Sequence, residues 1–200
     1  MEPLSPAVSA LSMRPSKKSA SEVMVVGLGP VGMAALMLCR AMGAEKLIGV
    51  EMNEYRIKMV QDMGLVDHIV RPSDNAVEEI RALTGGHGVE RAIDCSASDA
   101  GRQTAIRATR DWGRVVLVGE GNSLTINPSP DMMHAQKTVY GSWVTSTWRM
   151  MELVEHLVRW GIHPGDLIAD EFPLERADEA YALMASGKCG KVAVVFPEEE

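Results

Sequence analysis

The sequence predicts an α/β fold, a doubly wound parallel sheet with helices on both faces, in a single domain. Three observations predict it. Short apolar runs alternate with helical periodicity along most of the 200 residues, and regular β–α alternation with short loops implies parallel strands joined by crossover helices. The first runs, such as Val23-Met24-Val25-Val26, are apolar at every position, as strands buried on both sides require. Directly after that run stands Gly27-Leu28-Gly29-Pro30-Val31-Gly32, which opens an apolar helical stretch, and Glu51 ends the next apolar run.

The elements follow in order. A buried strand is expected at 22–26, then a helix at 31–42 with Met33, Leu36, Met37 and Leu38 on helical spacing. Gly43 ends that helix. A second strand at 46–50 leads to a helix at 55–63, closed by Gly64. A short strand at 67–70, a helix at 75–83 stopped by Gly85-Gly86, and a strand at 89–94 come next. A helix at 100–109, strands at 114–118 and 138–143, helices at 148–160 and 174–186, and a final strand at 192–196 complete the series. Right-handed crossovers wind such a chain into the Rossmann arrangement.

The domain is expected at 22–197. Residues 1–21 carry six serines and three prolines without periodicity. They read as a disordered leader or the remnant of an upstream part. The acidic residues at 198–200 read as a solvated tail. Hydrophobic content of 46% and charged content of 24% are those of an ordinary globular protein. No apolar run approaches the ~20 residues of a membrane span. A net charge of −7 argues against a nucleic-acid partner. Cys39, Cys95 and Cys189 are odd in number and scattered, which predicts neither disulfides nor a zinc cluster and suits the cytoplasm. The five histidines show no metal-ligand spacing. Metal ligands are therefore not expected, and with no Tyr-x-x-x-Lys pair and no G-x-S-x-G elbow no catalytic residue is expected either.

The glycine turn has the chemistry of a dinucleotide site. Gly27 permits the tight turn, Gly29 lets the backbone approach a pyrophosphate, and Gly32 lets helix and strand pack. The helix N-terminus, with Pro30 and Val31 at its start, offers free N–H groups to phosphates. Glu51 lies 19 residues after Gly32, near the ~20 of the fingerprint. There it would bind the adenosine ribose diol and repel a 2′-phosphate, favouring NAD over NADP; the plainer reading is a solvated strand-end glutamate. Arg56 either covers the adenine or ribose edge or is a surface arginine. Cys95 and Ser96 would line the crevice, with Asp94 as a strand-end turn residue. The stretch Val118-Gly119-Glu120 has the form of a strand end whose backbone contacts a nicotinamide amide.

Several stretches together carry a family resemblance: 25–33, Ala-Met-Gly-Ala at 41–44, Thr-Gly-Gly-His-Gly-Val-Glu at 84–90, Ile-Asp-Cys-Ser at 93–96, Trp-Gly-Arg-Val-Val-Leu-Val-Gly at 112–119, and Gly-Lys-Cys-Gly-Lys-Val at 187–192. From about residue 22 to 196 the chain resembles the cofactor-binding domain of the zinc-dependent medium-chain alcohol and polyol dehydrogenases, sorbitol and threonine dehydrogenase-like members above all. The resemblance implies that Gly29, Pro30, Val31 and Gly32 form the pyrophosphate turn. It implies that Glu51 holds the ribose, with Arg56 near the adenosine. Val118, Gly119 and Glu120 would lie near the nicotinamide, and Trp143, Val144 and Thr145 would form another cofactor-side stretch. Lys191 matches a basic position near the phosphates. The strand at 138–143 resembles the edge through which relatives pair two subunits, implying a homodimer. Trp148 is read as core.

In such relatives the ligands of the catalytic zinc stand on an N-terminal domain that this sequence does not show. The expectation is therefore a domain that holds NAD(H) and does little chemistry alone, because the zinc that stabilises the alkoxide belongs to the missing domain. Two other readings compete: a non-catalytic NAD-binding regulatory or dimerisation module, and a fragment with no function of its own.

Overall fold

A computed structural model describes residues 22–196. The leader read at 1–21 and the acidic tail read at 198–200 lie outside the described residues. Six strands form one all-parallel sheet in the order β3-β2-β1-β4-β5-β6. They are β1 (Glu22–Val26), β2 (Lys46–Val50), β3 (His68–Val70), β4 (Val89–Asp94), β5 (Thr109–Leu117) and β6 (Thr138–Gly141). The described chain enters at the middle of the sheet with β1, winds outward to β3, then returns to lay β4 on the other side of β1. This is the doubly wound order, with its topological switch point between β1 and β4.

Five helices follow the first six strands or precede the next: α1 (Pro30–Ala41), α2 (Glu54–Asp62), α3 (Ala76–Leu83), α4 (Asp99–Arg107) and α5 (Thr147–Trp160). Their apolar faces divide the core into two layers. Val23 and Val25 of β1 face α1, Val60 of α2, and Leu153 and Leu157 of α5. Met24 and Val26, pointing the other way, meet Ala76 and Ile80 of α3 and Ala105 and Ile106 of α4. This alternation is why β1 is apolar throughout. Leu36 and Leu38 of α1 are fully buried, each contributing about 1.5–3 kcal/mol relative to exposure.

A smaller unit closes the described chain. Strand β7 (Ile168–Pro173) pairs in parallel with β8 (Lys191–Val195) as a separate two-stranded sheet, and α6 (Ala177–Ser186) packs on both. Asn53 Nδ2 donates to the Gly187 carbonyl oxygen (2.6 Å), tying this unit to the start of α2.

Several expectations need correction. Thr109 opens β5 rather than ending α4, so that strand begins five residues before the predicted Arg114. Strand β6 stops at Gly141, the last residue in register with β5, and Trp143 lies in the loop beyond it. Strand β7 was not expected, nor was the π-helical turn Ser129–Met133. Trp148 is 67% exposed and is not core: α5 buries Leu153 and Leu157 instead.

Candidate functional site

The carboxyl ends of the strands meet along one rim, and hydrogen bonds carry the ladders past the last strand residues. Gly27 N–H donates to Val50 O (2.8 Å), Cys95 N–H to Val26 O (2.8 Å), Val118 N–H to Asp94 O (2.9 Å) and Ser142 N–H to Leu117 O (2.9 Å). The turns after β1, β2, β4, β5 and β6 therefore form one continuous floor.

The three glycines of the first turn have different surroundings. Gly27 has φ of +83°, and a Cβ there would lie 2.6 Å from Ser96 Cα. A Cβ on Gly32 would lie 1.9 Å from the Gly27 carbonyl oxygen. Both positions are closed by backbone, which no side-chain rotation relieves. Gly29 differs: a Cβ there would meet only the Arg56 guanidinium, 3.7 Å away. The space over Gly29 is open, as a backbone approached by a ligand requires. Gly29 is also the N-cap of α1, Pro30 occupies its first turn with Val31 behind it, no side chain caps it and no acidic residue stands in that turn. This helix end keeps its positive dipole for an anion.

Glu51 is 6% exposed. Its Oε2 accepts from Leu28 N–H (2.8 Å), inside the glycine turn. Its Oε1 accepts from Met52 N–H (2.8 Å) and Asn53 N–H (2.9 Å). A carboxylate offers about four acceptor positions, so one, on Oε2, is left. Glu51 is thus no solvated strand-end residue; it clamps the turn to the end of β2. Arg56 Nη1 lies 3.8 Å from Glu51 Oε2, and its Nε is buried without a hydrogen-bond partner among the described residues. Arg56 therefore borders the space over Gly29 with a partly unsatisfied guanidinium.

At β4, the Cys95 thiol packs against the core layer under α1. Burial, with Asp94 beside it, pushes its pKa well above the ordinary thiol range. Cys95 joins the floor through its backbone, and its side chain is turned inward. Asp94 is fully buried; its Oδ1 accepts from Ser96 N–H (3.1 Å) and Ser96 Oγ (2.6 Å). Its Oδ2 faces Arg102 Nε at 3.4 Å. Arg102, 7% exposed, then donates through Nη2 to Gly119 O (2.7 Å) and through Nη1 to Asn122 O (3.0 Å) and Ser123 O (2.9 Å). The sequence reading missed Arg102. The available signal was its place on the apolar face of α4, three and four residues before Ala105 and Ile106.

At the end of β5, Gly119 lies against the 96–98 turn: a Cβ there would be 2.5 Å from Ala97 N. Val118 is half-buried and Glu120 exposed. Beyond β6, Trp143 is 65% exposed, Val144 takes a φ of 30°, and the Thr145 hydroxyl oxygen is buried without a hydrogen-bond partner among the described residues. A β-branched residue at positive φ is strained, a feature that clusters at ligand sites. Lys191 opens β8, outside the six-stranded rim. The described residues contain no group of three or more His, Cys, Asp or Glu placed to hold a metal ion.

The sequence model of the zinc-binding dehydrogenases matches residues 30–159, more than half of the chain. The chain belongs to this zinc-binding dehydrogenase family. Within it, the chain is 43% identical over 186 residues to an uncharacterized zinc-type alcohol dehydrogenase-like protein of Escherichia coli K12, covering 93% of this chain and 53% of that protein. It is 30% identical over 194 residues to human sorbitol dehydrogenase, covering 94% and 52%. A solved alcohol dehydrogenase (rspB) from Escherichia coli CFT073, complexed with NADH, has the same fold with a TM-score of 0.80 at 18% identity, covering 96% of this chain and 56% of that one. The chain spans about half the length of the curated relatives it matches, and that half is the Rossmann-type dinucleotide-binding domain of the zinc-binding dehydrogenases.

Proposed function

We propose that this domain binds NAD(H) across the rim between β1 and β4, as the cofactor half of a dehydrogenase that oxidises a secondary alcohol of the polyol type to a ketone. The observation that carries the reading is the contrast within the turn, Gly27 and Gly32 sealed by backbone and Gly29 open above an uncapped helix N-terminus. The pyrophosphate sits over Gly29, Pro30, Val31 and Gly32. Glu51 accepts from a ribose hydroxyl on its remaining Oε2 position. Its charge disfavours the 2′-phosphate of NADP. Arg56 covers the adenosine side. Val118, Gly119 and Glu120, with Trp143, Val144 and Thr145, border the nicotinamide. The NADH bound to the solved relative, the human relative's sorbitol dehydrogenase name and the family membership support this reading.

Bound NAD would supply the hydride acceptor; the chain's own residues orient it. No group of His, Cys, Asp or Glu among the described residues is placed to hold zinc. The three free cysteines accord with a reducing, cytoplasmic location; among the described residues no helix is long and apolar enough to cross a membrane.

Calorimetric titration with NAD and with NADP, each with and without zinc, tests the proposal. The expected result is saturable binding, tighter for NAD, unchanged by zinc and accompanied by little polyol oxidation. Binding of neither nucleotide overturns the reading. Tighter binding of NADP overturns the role of Glu51 in selectivity, and robust turnover by the metal-free chain overturns the assignment of the chemistry elsewhere.

A further inference from the structure

The hydrogen bonds of the Arg102 guanidinium reach neither Glu51 nor Arg56, yet the buried ion pair Asp94–Arg102 stands at the rim. Arg102 is a helical residue whose guanidinium leaves its helix and reaches four oxygens on other segments. These are Asp94 Oδ2 at the end of β4, Gly119 O at the end of β5, and Asn122 O and Ser123 O in the loop that follows. The carbonyls of that loop converge on one buried cation. A second tie joins the same two segments from outside: Asn122, at φ of 54°, donates from Nδ2 to Ala97 O (2.6 Å). Gly119 is pressed on Ala97 from above. The β4 turn and the 119–123 loop are thus fixed relative to each other by Arg102, Asn122 and Gly119 together.

The place of this loop in the fold gives the network a role. In the doubly wound sheet each β-α-β half takes one mononucleotide. Glu51 and the glycine turn belong to the β1-β2-β3 half, so the β4-β5-β6 half takes the other nucleotide. The loop after β5 borders that second half. We propose that Arg102 is a positioning residue, which holds the 119–123 loop in the shape that receives the nicotinamide half of the cofactor. This rests on the cofactor reading above. A planar guanidinium engages several carbonyls at fixed angles. A lysine keeps the charge opposite Asp94 but presents a single nitrogen to them.

Two variants test it, R102K and N122G. Asn122 is exposed and already at positive φ, so glycine there removes the outer tie without strain. Each variant of the full chain is titrated with NADH, read by the fluorescence of its nicotinamide, and with ADP, which carries only the adenosine and pyrophosphate. R102K should weaken NADH about tenfold and reduce the fluorescence change on binding, while ADP affinity moves by less than about twofold. N122G should shift NADH in the same direction by a smaller factor. Equal losses for NADH and ADP would mean a merely structural role and overturn the proposal alone. Absence of binding by the unaltered chain would remove the cofactor reading and the positioning with it. If R102K fails to fold, N122G decides: unchanged NADH affinity and fluorescence overturn the proposal.

Discussion

At the scale of single residues, neighbouring glycines separate folding from binding. Gly32→Ala drives a Cβ to 1.9 Å from the Gly27 carbonyl oxygen and should lower stability by about 1–3 kcal/mol, seen as a drop in thermal midpoint. At Gly29 an added Cβ meets only a movable guanidinium, so Gly29→Val should cost about 1 kcal/mol of stability at most, for the poorer N-cap, while calorimetry should find NAD binding nearly abolished. If NAD still binds this variant, the phosphates lie elsewhere. Glu51→Ala strips three backbone N–H groups of their acceptor and should weaken NAD binding by about 1–3 kcal/mol; unchanged affinity would remove Glu51 from the site. The sequence spacing located Glu51 and the turn, because each needs only local geometry. It could not show that one carboxylate serves three amides, since Leu28 reaches it only once β1 and β2 lie side by side. The acceptors of Arg102 were hidden for the same reason: they come from β4 and from a loop that has no periodicity.

At the scale of elements, legibility followed burial. Strands β1 and β2 sit deep in the sheet, and their apolar runs were plain. Strand β7 reads Ile-Ala-Asp-Glu-Phe-Pro and lies in a two-stranded pair with an exposed side, so acidic residues interrupt the pattern that would have marked it. Helix α5 carries its apolar residues on one broad face, opposite Arg149, Glu152, Glu155, His156 and Arg159. Periodicity marks that face but not how much of it is covered: Leu153 and Leu157 are buried, while Met151 and Val158 stay exposed. One element is held by charge. Asp131 in the turn Ser129–Met133 accepts from Arg107 of α4 at 3.1 Å and 3.3 Å, and from Asn127 N–H at 2.9 Å. The Arg107 guanidinium, with that amide, lowers its pKa below the ordinary carboxylate value. A depressed folded pKa stabilises the native chain above the unfolded value of about 3.9 and is lost as pH falls through the folded one. Asp131→Asn should therefore be less stable than the original at neutral pH, with the gap closing below about pH 4. Denaturant titrations across that range check it; a gap that stays constant in acid would show that shape, not charge, is what Asp131 supplies.

At the scale of the whole molecule, the sheet has two edges, β3 with three residues and β6 with four. An unpaired edge is a template for another strand. Pairing two copies through β6 would continue the sheet across a two-fold axis. We expect the chain to sediment as a dimer at micromolar concentration, and a monomer throughout that range would overturn the pairing. The strand order also has a consequence for how the chain is made. Strand β1 is the middle of the sheet, yet it is the earliest strand of the described chain. During synthesis it emerges with both of its hydrogen-bonding sides open and both faces apolar. Its neighbour β2 follows soon, but β4 does not begin until Val89. Until the ribosome has delivered β4, the nascent chain carries an open apolar edge where the finished protein has its centre. Non-local parallel pairing of this kind forms slowly and leaves such edges open to aggregation.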